Sequence, residues 1–177
     1  IGIYTVADLE RERELDPRLR WELLDGELVM TPAPRFVHQD MLGRLYILLM
    51  QAAPSTLAVG MAPLDVRLSD RTVLQPDLVL ARREQTGDTG VEAVPVLAVE
   101  VLSPSTRRRD LNDKRGILER AGCPHYWVLD PDEVSLRAWH LVDDRYELHT
   151  HAVGQQDVRF VDPLELTFRV ADLLPPR

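Results

Sequence analysis

Apolar residues recur along the chain with two periods, and the period changes where turn residues fall. Thr5 is placed to cap a short helix through Ala7 and Leu9 to about Leu15, which Asp16-Pro17 stops. Apolar runs around Trp21–Leu24 and Glu27–Met30 flank Asp25-Gly26, a two-residue hairpin signal, so two strands are predicted there. From Val37 to Ala53, the residues Val37, Met41, Leu45, Leu48 and Leu49 fall at helical spacing, with His38 on the first turn. Strands are predicted around Leu57–Val59, at Leu64–Leu68, near Val73 and at Leu78–Ala81, followed by a polar loop over Arg82–Glu92.

Val96–Leu102 is the most strand-like run, apolar on both faces and therefore expected at the centre of a sheet. Ser103-Pro104-Ser105-Thr106 ends it. A helix from about Arg107 to Ala121 then closes at Gly122 and Pro124. His125–Leu129, Val134–Leu141 and Tyr146–His149 alternate as strands, and the chain finishes in shorter, less regular elements. The order predicts a mixed α/β (α+β) core with an antiparallel extension.

Length and composition add that 177 residues, 45% of them hydrophobic, suffice for one domain over 1–177 with a real core. No repeat or low-complexity stretch interrupts it, and disorder is expected only in the Pro-Pro-Arg tail. The nearly apolar stretch Leu45–Met50 falls far short of the ~20 residues that cross a bilayer. The first residues lack an export signal, and the lone Cys123 cannot form an internal disulfide, so a cytoplasmic location is expected. Beside Gly122 and Pro124 that cysteine reads as packing. A net charge of −8 argues against nonspecific coating of nucleic acid. Locally the balance reverses: Arg107, Arg108, Arg109, Lys114, Arg115 and Arg120 outnumber Asp110, Asp113 and Glu119.

The candidate chemistry begins with Glu100, a carboxylate inside an apolar strand, which is costly to bury without a partner. Asp77, after Pro76, opens another apolar strand. Two adjacent strands would bring both acids to one sheet edge, where they repel unless a cation lies between them. Mg²⁺ takes one or two carboxylates plus waters, which suits the pair. Lys114 is the sole lysine, every other one of the 21 basic residues being arginine. A compact ammonium can act as a point charge or proton donor where a guanidinium cannot. The alternative is an Asp110/Lys114 pair on the helix surface. His38 and Glu27 are secondary candidates beside solvent-exposed or capping roles, and His125, His140, His149 and His151 show no ligand spacing.

Taken in order, Asp25-Gly26-Glu27, His38, Pro76-Asp77, Val99-Glu100-Val101-Leu102-Ser103-Pro104-Ser105-Thr106, Asp110…Lys114 and Gly122…His125-Tyr126-Trp127-Val128-Leu129-Asp130-Pro131 resemble the bacterial Uma-two family of putative restriction endonucleases. The resemblance covers nearly the whole chain and implies the fold of PD-(D/E)xK nucleases, a mixed sheet flanked by helices. It implies a DNA phosphodiesterase in which Asp77 and Glu100 hold Mg²⁺ or Mn²⁺ and Lys114 steadies the attacking water. Arg107, Arg108 and Arg109 would form a nucleic-acid rim. In those nucleases the lysine stands two residues after the Glu; here that position is Leu102. Either Lys114 has taken over the role or the site is crippled. The departure keeps two alternatives open: a nuclease-like binding or assembly module, as a homodimer or higher homo-oligomer, and a metal-dependent hydrolase of a small phosphorylated substrate.

Overall fold

The structure, a computed structural model, describes residues 2–175; the last two residues of the expected disordered tail, Pro176 and Arg177, lie outside that range. In chain order the elements are α1 (Val6–Leu15), β1 (Arg20–Leu24), β2 (Glu27–Thr31), α2 (Phe36–Ala52), β3 (Leu57–Met61), β4 (Asp65–Ser69), β5 (Thr72–Leu74) and β6 (Leu78–Arg82). They continue with β7 (Gly90–Val91), β8 (Leu97–Val101), a π-helical turn (Arg109–Lys114), α3 (Arg115–Ala121), β9 (His125–Asp130), β10 (Ser135–Val142), β11 (Arg145–Val153), β12 (Asp157–Phe160) and β13 (Leu166–Arg169).

The central sheet has the order β11-β10-β9-β8-β6-β3, and only its β8–β9 pair is parallel. A parallel pair needs a crossover, which the π-turn and α3 supply. The three strands β9, β10 and β11 form the antiparallel extension that the alternating pattern predicts. A second sheet, β2-β1-β5-β4-β7, carries the Asp-Gly hairpin, where Asp25 has φ 48° and Gly26 φ 85°. These positive values are what a two-residue turn of this type requires.

Period-2 alternation assigns the two faces of β8 and β9. Leu97, Val99, Val101, Trp127 and Leu129 pack with Met41, Leu42, Leu45 and Leu49 of α2. Ala98, Leu102, Tyr126 and Val128 pack on the other face with Ile117 and Leu118 of α3. Glu100, between Ala98 and Leu102, projects to that second face, under the crossover.

Two regions are more ordered than the sequence pattern suggests. Within Arg82–Glu92, Gly90–Val91 pairs in parallel with β4, and Arg83–Gln85 makes a 3₁₀ turn. The end of the chain forms the hairpin β12–β13, whose Val158, Phe160, Leu166 and Phe168 enter the main core. Polar residues alternate with these along both strands, so the hairpin buries one face.

Candidate functional site

Each residue of the site is delivered by the end of a core element. The β6–β8 pairing sets Leu78 opposite Val99, so one step further along the antiparallel register Asp77 stands across from Glu100. Asp77 accepts hydrogen bonds from the Val101 amide at 2.8 Å and, through the same Oδ2, faces His38 Nε2 at 3.1 Å. His38 begins the buried stripe of α2 that continues through Met41, Leu42, Leu45 and Leu49, so the packing of that helix aims its ring at the strand ends.

Leu102 and Ser103 leave the strand, and Ser103 starts the crossover helix. Its carbonyl accepts from the Arg107 amide at 3.0 Å, closing a turn over Pro104–Thr106 that leads into the helix. The helix widens into the π-turn Arg109–Lys114, whose i→i+5 pattern often marks a functional site. Asp110 and Lys114, four residues apart, both point inward. The Tyr126 hydroxyl anchors the turn by donating to the Asp110 carbonyl at 2.8 Å.

Lys114 Nζ lies 2.8 Å from Glu100 Oε1, 2.9 Å from Glu22 Oε1 and 3.9 Å from Asp110 Oδ1. Glu22, on β1, also accepts from the Gln75 amide at 2.6 Å and the Thr31 hydroxyl at 2.9 Å. Glu22, Glu100, Asp110 and Lys114 are all 3% exposed or less. Burial pushes the Glu100 carboxyl well above its usual range, with Asp110, Asp77 and Glu22 adding to the rise and Lys114 opposing it. Burial likewise pushes Asp110 up, to about 6. Burial works against the charge on Lys114, but Glu100, then Glu22 and Asp110, outweigh it and hold the ammonium protonated.

These groups line a cavity of about 30 Å³ together with Arg20 and Arg109. That is room for an ion or a water, not for a substrate. Four carboxyl groups, Glu22, Asp77, Glu100 and Asp110, converge here with Lys114, Arg20 and Arg109, so acidic side chains outnumber basic ones in the lining. The hydrogen bonds made to the carboxylates of Asp77 and Glu100 enter through Oδ2 and Oε1, which leaves Oδ1 and Oε2 for a cation. His38 Nδ1, Gln75 Oε1, Arg20 Nε and Arg109 Nη1 are buried around the cavity without a protein partner. The free carboxylate oxygens of Asp77 and Glu100, facing a space of that size, fit a hard divalent cation.

The structure brings Asp77, Glu100, Lys114 and His38 together. It does not bring Glu27, which is exposed on β2 and lines a separate open groove with Asp25 and Arg120. Position along the hairpin explains the difference: the register pairs Glu22 with Val29 and Leu24 with Glu27, so Glu22 and Glu27 share one face, but Glu27 lies at the turn end, away from the cavity. Of the three rim arginines only Arg109 reaches the cavity; Arg107 is committed to Asp130 and Glu133, and Arg108 is exposed away from it. The Asp110/Lys114 pair is buried, not on the helix surface. Leu102 lies in the dry cluster with Ala98 and Leu118, so the ammonium arrives from the crossover helix. Glu22 was legible by the argument that exposes Glu100: it is an acid set between Trp21 and Leu23-Leu24 in a strand. Cys123 packs in the core, where burial pushes its thiol up to about 11.

A mixed sheet flanked by helices, with an Asp and a Glu at adjoining strand ends and a lysine against the Glu, defines the restriction-endonuclease-like class of fold. The chain belongs to the Uma2 family, described as "Putative restriction endonuclease", whose profile matches residues 6–171. Among solved structures it is similar to a protein from Anabaena variabilis ATCC 29413 described as "a putative nuclease belonging to DUF820". The TM-score is 0.74 at 16% identity, over 97% of each chain. That likeness covers nearly the whole fold. A comparison with curated proteins returned no match. No helix among the described residues is long and apolar enough to cross a membrane.

Proposed function

We propose that the protein is a divalent-metal-dependent nuclease that hydrolyses DNA phosphodiester bonds at the Asp77–Glu100–Lys114 cavity. The observation that carries the reading is the buried ammonium 2.8 Å from the Glu100 carboxyl, which stands across from Asp77 in a cavity where acidic side chains outnumber basic ones. Asp77 and Glu100 would hold Mg²⁺ or Mn²⁺, which when bound supplies Lewis acidity toward a phosphodiester and neutralises its charge. Lys114, fixed between Glu100 and Glu22, presents a proton and a positive charge beside the reacting centre. His38 orients Asp77 through Oδ2, and Arg109 and Arg20, which line the cavity, would supply positive charge for a phosphate. A cavity of about 30 Å³ admits no base or sugar, so the backbone would approach from outside.

A second reading, a nuclease-like binding or assembly module without turnover, is favoured by Leu102 at the usual lysine position and by the commitment of Arg107 to Asp130 and Glu133. The deciding experiment is cleavage of plasmid and single-stranded DNA with Mg²⁺ or Mn²⁺ by the wild type, Asp77→Ala, Glu100→Ala and Lys114→Arg. The nuclease reading expects cleavage by the wild type and none by the variants. Equal cutting by all would mark a contaminant. Divalent binding without cleavage would favour the module, and turnover of a small phosphodiester but not DNA would redirect the substrate class.

A further inference from the structure

We propose that His125, His140 and Asp162 form a second metal site, separate from the acidic cavity and selective for a borderline divalent ion such as Zn²⁺. The parts converge from three elements. His125 and His140 are direct cross-strand partners on β9 and β10, and their rings stack at 4.6 Å between centroids. Asp162, in the connection between β12 and β13, sends Oδ2 to 3.2 Å from His125 Nε2 and 3.9 Å from His140 Nε2. One ligand atom from each residue lies within 4.8 Å of the other two.

Two imidazole nitrogens aimed at one carboxylate oxygen are more than a histidine–aspartate hydrogen bond needs. Donors on a tetrahedral zinc, with Zn–N and Zn–O of about 2.0–2.2 Å, stand roughly 3.3 Å apart. The two separations from Asp162, 3.2 and 3.9 Å, bracket that value, and all three ligand atoms lie within 4.8 Å, so a small rotation of the half-exposed His140 ring together with Asp162 would complete the set. A third imidazole is at hand. The register of β11 slips opposite Ala138/Trp139, which leaves His149 without a cross-strand partner, and its ring stands edge-on to His140 at 6.3 Å. A bulge of this kind re-aims a side chain, here into the same recess. The recess has a volume of about 210 Å³, with Trp127 and Phe160 beneath and Arg159 at its exposed side.

The site is chemically and spatially distinct from the first. Imidazole donors select zinc-like ions, whereas all-oxygen sets suit Mg²⁺ and Mn²⁺. His125 pairs with Leu97 at the start of β8, three residues before Glu100, and by alternation it shares the opposite sheet face with Trp127. A metal there would join the β12–β13 connection to the central sheet, which points to a structural ion.

The test is titration of tag-free, metal-free protein with Co²⁺, read by its visible ligand-field absorption, followed by competition with Zn²⁺ and with excess Mg²⁺. The wild type and Asp77→Ala are expected to show the same low-coordinate Co²⁺ bands, displaced by Zn²⁺ and not by Mg²⁺. His140→Gln and Asp162→Asn alter side chains with solvent access, so their metal-free melting temperatures should match the wild type. Their Co²⁺ affinity should fall by at least about tenfold, because losing a direct ligand exceeds the usual loss of an outer partner. Absence of the bands from wild type, their persistence in both variants, their loss in Asp77→Ala alone, or displacement by Mg²⁺ would each overturn the proposal.

Discussion

Replacing Lys114 with methionine keeps most of the side-chain volume and removes only the charge. The ammonium has two carboxylate oxygens within 2.9 Å and a third at 3.9 Å, on side chains 4% exposed or less. Water screens little at such burial, and removing one partner of a buried ion pair typically costs ~3–5 kcal/mol. For a chain of this size, ~2–4 °C per kcal/mol places the loss of melting temperature at roughly 6–20 °C. The double variant Lys114→Met/Glu100→Gln removes the carboxylate that the ammonium met most closely, and should recover about half of the loss, because replacing both partners is far cheaper than breaking a pair. The assay is thermal and urea denaturation at neutral pH in EDTA, followed by circular dichroism. A loss under ~1 kcal/mol, the value of a solvent-exposed pair, would refute the description of a dry acidic cluster. A double variant no more stable than the single one would refute the pairing itself.

Other outcomes follow from the same geometry. Asp110, raised by burial from 3.8 to about 6, binds its proton more tightly in the folded state. Its contribution is therefore fully present below the unfolded value and lost as pH rises through the folded one, by up to roughly 3 kcal/mol at 1.36 kcal/mol per unit. Urea denaturation in EDTA should show this fall for the wild type, and Asp110→Asn should remove it; identical slopes would contradict the assignment. Leu102→Lys places an unpaired charge in the dry cluster and should cost ~3–5 kcal/mol without restoring cleavage to Lys114→Met. Rescue of cleavage would show that position 102 can still serve the site. Glu27→Gln, at an exposed position, should shift stability by no more than ~0.5 kcal/mol and leave cleavage unchanged, measured on the same plasmid substrate.

Much of this molecule was legible from the order of residues alone. The Asp-Gly hairpin, the amphipathic α2, the doubly apolar β8 and the Gly122 helix stop are local signals, because turn geometry and hydrophobic periodicity act over a few neighbouring residues. So was the oddity of an acid in an apolar strand, which marks Glu100 whatever surrounds it. The remainder depended on distance in space. Which acids share the cavity is decided by where the hairpin packs: Glu22 and Glu27 lie on one face, but only Glu22 is laid against Lys114, while Glu27 stays exposed at the turn end. The π-turn that carries Asp110 and Lys114 inward reads as ordinary helix in sequence, so the same pair passes for a surface salt bridge until the crossover is laid over β8. The meeting of His125, His140 and Asp162 likewise joins residues with no shared spacing, through a cross-strand pair and a loop that only the packed hairpin brings near. Backbone preference is set by near neighbours in the chain, whereas the charge balance of a cavity is set by whatever the tertiary fold closes around it.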